Sequence, residues 1–193
     1  MTAVPGVVEQ GDLDARLVNV VPALGVALAL ALTLMAVRRH GAAFVGRAYG
    51  DRLRVVSGVV LVLAALPWLA AEVGFYFPGD VFLGEEVPEE RDPGLAAVHL
   101  GFHHGTGGTL LALSALVLSR AARSVGLAAY LSALFAYGAA NAFQDAWNEQ
   151  LWKRGTVDWH VPDVIRPELS FGWLAIVLLA ALVYALWFRP RPG

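Results

Sequence analysis

The stretch HLGFHHGTGG, residues 99–108, places His99, His103 and His104 near the start of a long apolar segment. On a helix, His99 and His103 lie four residues apart on one face, whereas His104 is turned away by about 100°. Imidazole nitrogens near the hydrocarbon of a bilayer need partners that lipid does not provide. The spacing therefore predicts a helix with two imidazoles that converge on one point and a third that orients or relays.

The same helix carries small residues at intervals of four: Ala97, Gly101, Gly105 and Thr109. This pattern lets a neighbouring membrane helix approach closely. We therefore expect this segment to be the central helix of a bundle.

The composition indicates a polytopic membrane protein. The 193 residues are 58% hydrophobic and 16% charged, with a mean hydropathy of +0.60, whereas ordinary soluble domains are about 25% charged. The absence of cysteine excludes disulfides, thiolate metal sites, iron–sulfur clusters and cysteine nucleophiles. No phosphate loop, dinucleotide fingerprint or nucleic-acid motif is present, so we expect no nucleic-acid partner.

Five apolar segments are long enough to cross a bilayer. They predict an all-α bundle of five transmembrane helices in a single domain, residues 1–193, with helices at about 17–37, 55–77, 94–119, 125–147 and 169–188. Three connections on one side carry nine of the 14 Lys and Arg residues and one acid, Asp51. The positive-inside rule places these connections in the cytoplasm and the N-terminus outside. We expect a multi-pass protein of the plasma membrane with a cytoplasmic C-terminus.

Several ionisable and amide side chains share the outer third of the predicted bilayer. Glu72 and His99 are about 8 Å below the outer boundary, and His103 is about 14 Å below it. The fourth helix carries its polar residues at the same end. We predict a site formed by Glu72, His99, His103, Asn141 and Asp145, with His104, Glu149 and His160 near its mouth.

The fourth helix supplies a polar stripe whose steps of three, four and seven residues keep it on one face. Its members are Tyr130, Tyr137, Asn141, Asp145, Asn148 and Trp152. We add Tyr137 and Asn148 to the pocket, together with Trp68, which lies four residues before Glu72. The loop at 151–167 contains Trp152 and Trp159, which are typical of membrane-interface anchors. Thr106 is the only hydroxyl near the histidines.

Two imidazoles and a carboxylate in a dry pocket suit a divalent transition metal such as zinc, iron or copper. We predict that the metal ligands are His99, His103, Asp145 and Glu72, and that the catalytic groups are Glu72, Asp145 and His104. The expected function is a metal-dependent hydrolase or oxidoreductase that acts on a lipid-like or other apolar small molecule. The histidine run superficially resembles one histidine box of the membrane fatty-acid hydroxylases and desaturases, but those enzymes carry several such boxes.

Other functions fit the same residues. A proton- or cation-coupled transporter or channel could use the acids and histidines as a relay, although the inner part of each helix has few ionisable groups. Haem ligation would need His160 to complement His99 or His103. An accessory subunit of a membrane complex, or a homo-oligomer, could use the polar cluster as interhelical hydrogen bonds.

Overall fold

A computed structural model describes residues 20–40, 49–72, 105–122, 124–152, 155–162, 164 and 169–190. For residues 20–23, 40, 67–72 and 149–150 it describes the backbone alone. All regular structure in these ranges is helical, as the sequence predicts. The five helices are α1 (Val20–His40), α2 (Asp51–Glu72), α3 (Gly105–Leu118), α4 (Val125–Trp147) and α5 (Phe171–Val183). A 3₁₀ turn, Ser119–Ala121, follows α3, and π-helical turns follow α4 (Asn148–Trp152) and α5 (Tyr184–Phe188).

Serine side chains define the starts of the last two helices. Ser124 accepts a hydrogen bond from the Leu127 N–H at 3.2 Å and caps α4. Ser170 accepts one from the Trp173 N–H at 3.3 Å and caps α5. A serine cap satisfies one of the N–H groups that a helix start leaves without an intrahelical partner. The helix predicted at 125–147 is thus observed with the same bounds.

The core of the described bundle is the contact between α3 and α4. A Cβ added at Gly108 would lie 2.5 Å from the carbonyl oxygen of Gly138, and one added at Gly138 would lie 2.5 Å from that of Gly108. The two backbones therefore touch at this point, which only glycine permits. Gly105 and Thr109 of the predicted small-residue series are buried in α3. Ala97 and Gly101 lie outside the described residues.

The start of α2 and the ends of α3 and α5 meet at one end of the bundle. The Arg54 guanidinium donates to the Ser119 hydroxyl at 2.7 Å and to the Trp187 carbonyl at 2.9 Å. The arginine-rich connections after α1 and α3 and the C-terminal tail were predicted to lie on one side. These contacts bring together Arg54, from the first connection, and Ser119 and Trp187, which come just before the other two regions in the sequence.

Helix α1 is joined to α4 by the Tyr130 hydroxyl, which donates to the Gly25 carbonyl at 2.7 Å. This hydrogen bond between a side chain of α4 and the backbone of α1 holds the two helices together at this position.

Two described helical stretches are long and apolar enough to cross a membrane: Val125–Trp147 and Phe171–Phe188. In the most apolar 18 residues of each stretch, the buried share is 56% for Val125–Trp147 and 17% for Phe171–Phe188. Helix α3 contacts α1, α2 and α4, and helix α4 contacts α1, α3 and α5, so these two helices form the centre of the described bundle and α5 is peripheral. The described part of the segment at 94–119 therefore shares the central place that the sequence predicts for it.

Candidate functional site

The described residues include part of the predicted site. His99, His103 and His104 lie outside them. Trp68 and Glu72 belong to the last turns of α2, and Glu149 belongs to the turn after α4, where the side chains are not described. The predicted residues whose side chains the structure describes are Tyr137, Asn141, Asp145, Asn148 and His160.

Asp145 is a buried carboxylate, 3% exposed, on the face of α4 that contacts α3. Its Oδ2 atom accepts a hydrogen bond from the Gly105 N–H at 2.9 Å. Gly105 is the first described residue of α3, and this hydrogen bond joins α3 to α4. In the sequence, Gly105 directly follows His103 and His104. The structure therefore brings Asp145 to the residue that adjoins the predicted histidines.

Asn141 lies one turn before Asp145 and is also buried against α3. Its Nδ2 atom donates to the Tyr137 carbonyl of the same helix at 2.8 Å. A Cβ on Gly108 would come within 3.1 Å of the Asn141 Cβ, so the side chain starts directly at the α3–α4 contact. Asn141 and Asp145 share the face that was predicted for them.

The other members of the predicted stripe contact different parts of the protein. The Tyr137 ring packs against Trp173 of α5, with ring centroids 5.8 Å apart. The Asn148 side chain donates to the Val161 carbonyl at 2.9 Å and accepts from the Val161 N–H at 2.8 Å, which ties the following loop to the end of α4. The polar stripe is therefore divided among α3, α5 and the loop, together with α1 through Tyr130.

His160 lies in this loop and is exposed. Its ring stacks on Trp152, with centroids 4.8 Å apart. In the same loop Trp159 packs against Trp147, with centroids 4.3 Å apart, and its carbonyl accepts from the Trp147 indole N–H at 3.1 Å. The loop is thus held against the end of α4 by aromatic and amide contacts.

Two threonines in α3 differ in how their hydroxyls are satisfied. Thr109 donates to the Gly105 carbonyl at 2.8 Å, a bond to the residue four positions earlier. Thr106 is 8% exposed, and its Oγ1 atom has no hydrogen-bond partner among the described residues. A buried polar atom without a partner costs about 1–3 kcal/mol. Such an atom is a candidate for contact with a bound molecule.

The described side chains alone do not form a metal centre. Among them, no group of three or more His, Asp or Glu residues is placed to hold an ion. Of the four predicted ligands, Asp145 is the one whose side chain is described. The metal site thus remains a prediction that depends on His99, His103 and Glu72.

A second polar cluster, at the opposite end of α3 from Asp145, was missed from the sequence. The Arg54 side chain is 10% exposed. Besides its bonds to Ser119 and Trp187, its guanidinium donates to the Tyr49 carbonyl at 2.9 Å. One of its terminal nitrogens lies 3.5 Å from Oδ1 of Asp51. Asp51 also pairs with Arg120 at 3.1 Å. Burial lowers the pKa of Arg54, the Asp51 carboxylate raises it and Arg120 lowers it. The available signal was Asp51, the single acid among the arginine-rich connections.

The described part of the chain is thus a helical bundle in which the buried Asp145 carboxylate bonds the first described residue of α3. Comparisons of the chain with protein-family models, with curated proteins and with solved structures found no match. The function is therefore argued from the residues themselves.

Proposed function

We propose that the protein is a metal-dependent enzyme of the membrane that acts on a lipid-like or other apolar substrate. The observation that carries this proposal is the buried Asp145 carboxylate, which accepts from the Gly105 N–H one residue after His104. A carboxylate is an oxygen ligand for a divalent transition metal. We expect Asp145 to bind such a cation together with imidazoles of the histidine run that precedes Gly105 in the sequence.

The five-span arrangement is part of this proposal and is supported by the described surface. Helices α1, α2 and α5 expose large aliphatic side chains, among them Leu24, Leu34, Val55, Leu63 and Leu178. Soluble proteins rarely expose contiguous apolar surface of this kind. Lipid on these faces, with the arginine-rich ends in the cytoplasm, accounts for both features.

Each proposed ligand has a distinct chemical role. His99 and His103 provide neutral nitrogen ligands, and Asp145 or Glu72 provides an oxygen ligand, which leaves positions open for substrate. The remaining carboxylate acts as a general base or orients a ligand imidazole. His104 relays a proton at the mouth of the site. Zinc, iron and copper are the candidate metals.

A structural role is the second candidate, and the same hydrogen bond favours it. Asp145 accepts from the Gly105 N–H and so joins α4 to α3 through a buried hydrogen bond. A buried acid that joins two helices needs no metal to stabilise an accessory subunit. Metal content separates the two functions.

The test is elemental analysis of the purified protein in detergent, with Asp145→Asn and His103→Ala beside the wild type. Asparagine keeps an oxygen acceptor for the Gly105 N–H but removes the anionic ligand, so folding is retained while metal affinity falls. Asp158→Asn, which removes an exposed acid, is the matched control. Near-stoichiometric metal that is lost in both site variants and kept in the control supports the enzyme. Metal-free wild-type protein contradicts it.

A further inference from the structure

The Thr106 hydroxyl is a buried donor for which the described structure provides no hydrogen-bond acceptor. Thr109 and Ser132 each satisfy their hydroxyl by donating at 2.8 Å to the carbonyl four residues earlier. Thr106 makes no hydrogen bond within the described residues, although it is buried as deeply as core residues are. Because an unpaired buried hydroxyl is destabilising, its retention at this position needs a partner from outside the described chain.

The surroundings of Thr106 point to a ligand. Thr106 directly follows Gly105, whose N–H binds the buried Asp145 carboxylate. The next residue, Gly107, is partly exposed, and a Cβ added there would meet no described atom within 4 Å. The first described turn of α3 therefore combines a buried donor with adjacent space that is open among the described residues.

We propose that this turn of α3 binds the carbonyl oxygen of an uncharged acyl lipid, with the Thr106 hydroxyl as the hydrogen-bond donor. The Thr106 hydroxyl brings no positive charge to balance a phosphate or a free fatty acid, and the described Arg54 and Arg120 lie at the opposite end of α3. Neutral esters are therefore the preferred class. Gly107 gives the space for the acyl chain. The inference names the substrate class of the proposed enzyme and rests on that site, but it does not depend on the metal.

The experiment uses a diacylglycerol whose acyl chain carries a photoactivatable diazirine. The probe is added to the full-length protein in detergent after removal of metal with a chelator, and labelled peptides are identified by mass spectrometry. We expect labelling of α3 and α4 near the first turn of α3, with competition by unlabelled diacylglycerol and weaker competition by phosphatidic acid.

Three variants make the test specific. Thr106→Val removes the donor and is expected to weaken binding about three- to tenfold, the effect of one neutral hydrogen bond, whereas Thr106→Ser restores it. Gly107→Leu fills the open space and is expected to abolish labelling at this turn. Thr109→Val, whose hydroxyl is paired inside the helix, is the matched control and should label like the wild type.

Two results overturn the proposal: labelling that is unchanged in both Thr106→Val and Gly107→Leu, or labelling spread evenly over the exposed faces of α1, α2 and α5. Equal competition by phosphatidic acid contradicts the preference for an uncharged lipid. The metal content is measured on the protein as purified, and labelling is measured after the chelator has removed any metal. A wild-type protein that is purified without metal but is labelled specifically refutes the metal enzyme and supports the lipid site. A protein that is purified with metal but is not labelled specifically refutes the lipid site and supports the metal enzyme.

Discussion

Replacement of Arg54 by lysine tests whether the contact of α2, α3 and α5 depends on the shape of the guanidinium group. Arg54 donates through Nε to Ser119, through one terminal nitrogen to the Tyr49 carbonyl and through the other to the Trp187 carbonyl. It also lies over the Phe188 ring, 5.4 Å from the centroid. Lysine keeps the positive charge but presents a single nitrogen, which cannot reproduce this planar fork.

The magnitude follows from the two partly buried hydrogen bonds. Hydrogen bonds of a charged group contribute about 1.5–3 kcal/mol each. The bond to Tyr49 is exposed, so we count it as near zero. Lysine can keep at most one of the other two bonds, and Arg54→Lys should therefore lower the free energy of unfolding by about 1.5–3 kcal/mol. Arg54→Met loses both bonds and the charge and should cost about 3–5 kcal/mol.

The assay is unfolding of the detergent-solubilised protein by sodium dodecyl sulfate, followed by tryptophan fluorescence. Arg52→Lys is the control, because Arg52 is an exposed neighbour on the same turn and should change stability by less than about 0.5 kcal/mol. A double-mutant cycle with Ser119→Ala isolates the 2.7 Å hydrogen bond. An Arg54→Lys protein as stable as the wild type, or a coupling energy near zero in the cycle, refutes the proposed role.

Four further substitutions, one of them a control, test the contacts of α4. Gly138→Ala should lower the free energy of unfolding by about 1–3 kcal/mol, because the added Cβ would lie 2.5 Å from the Gly108 oxygen. Gly126→Ala is the control, because its Cβ would meet open space. It should be neutral or slightly stabilising in the same unfolding assay. Asn148→Ala removes two hydrogen bonds to the loop and should speed proteolysis there several-fold; an unchanged cleavage rate contradicts the tether. Tyr130→Phe removes the bond to α1 and should cost about 1 kcal/mol, measured by the unfolding midpoint.

The sequence predicts features that depend on local pattern. The helix at 125–147 is bounded as expected, because apolar periodicity and the serine at 124 are both local signals. The shared face of Asn141 and Asp145 follows from helical spacing in the same way. Which other helix or loop each of these residues contacts depends on how the helices pack, and the local sequence does not determine it. Tyr137 and Asn148 share that face by spacing, yet they contact α5 and the loop.

The Arg54 cluster could not be predicted from the sequence for a related reason. A count of charges identifies a cationic side, but it treats each arginine as solvated. Burial of Arg54 depends on where α3 and α5 end, which is set by the packing of the whole bundle. The partner of Tyr130 on α1 is also set by packing, because apolar segments of similar length can slide along one another. The lengths of the apolar segments therefore do not identify Gly25 as the residue that Tyr130 contacts.

The position of Asp145 depends on the glycine contact between α3 and α4. Gly138 touches Gly108, and Asp145 meets Gly105 two turns further along α4. Since helical side chains point toward the N-terminus of their own helix, the carboxylate leans back toward this contact and reaches the Gly105 N–H only while the backbones touch. Separation of the helices by Gly138→Ala should therefore weaken lipid labelling as well as stability. If stability and lipid labelling were independent, Gly138→Ala would lower stability and leave labelling unchanged.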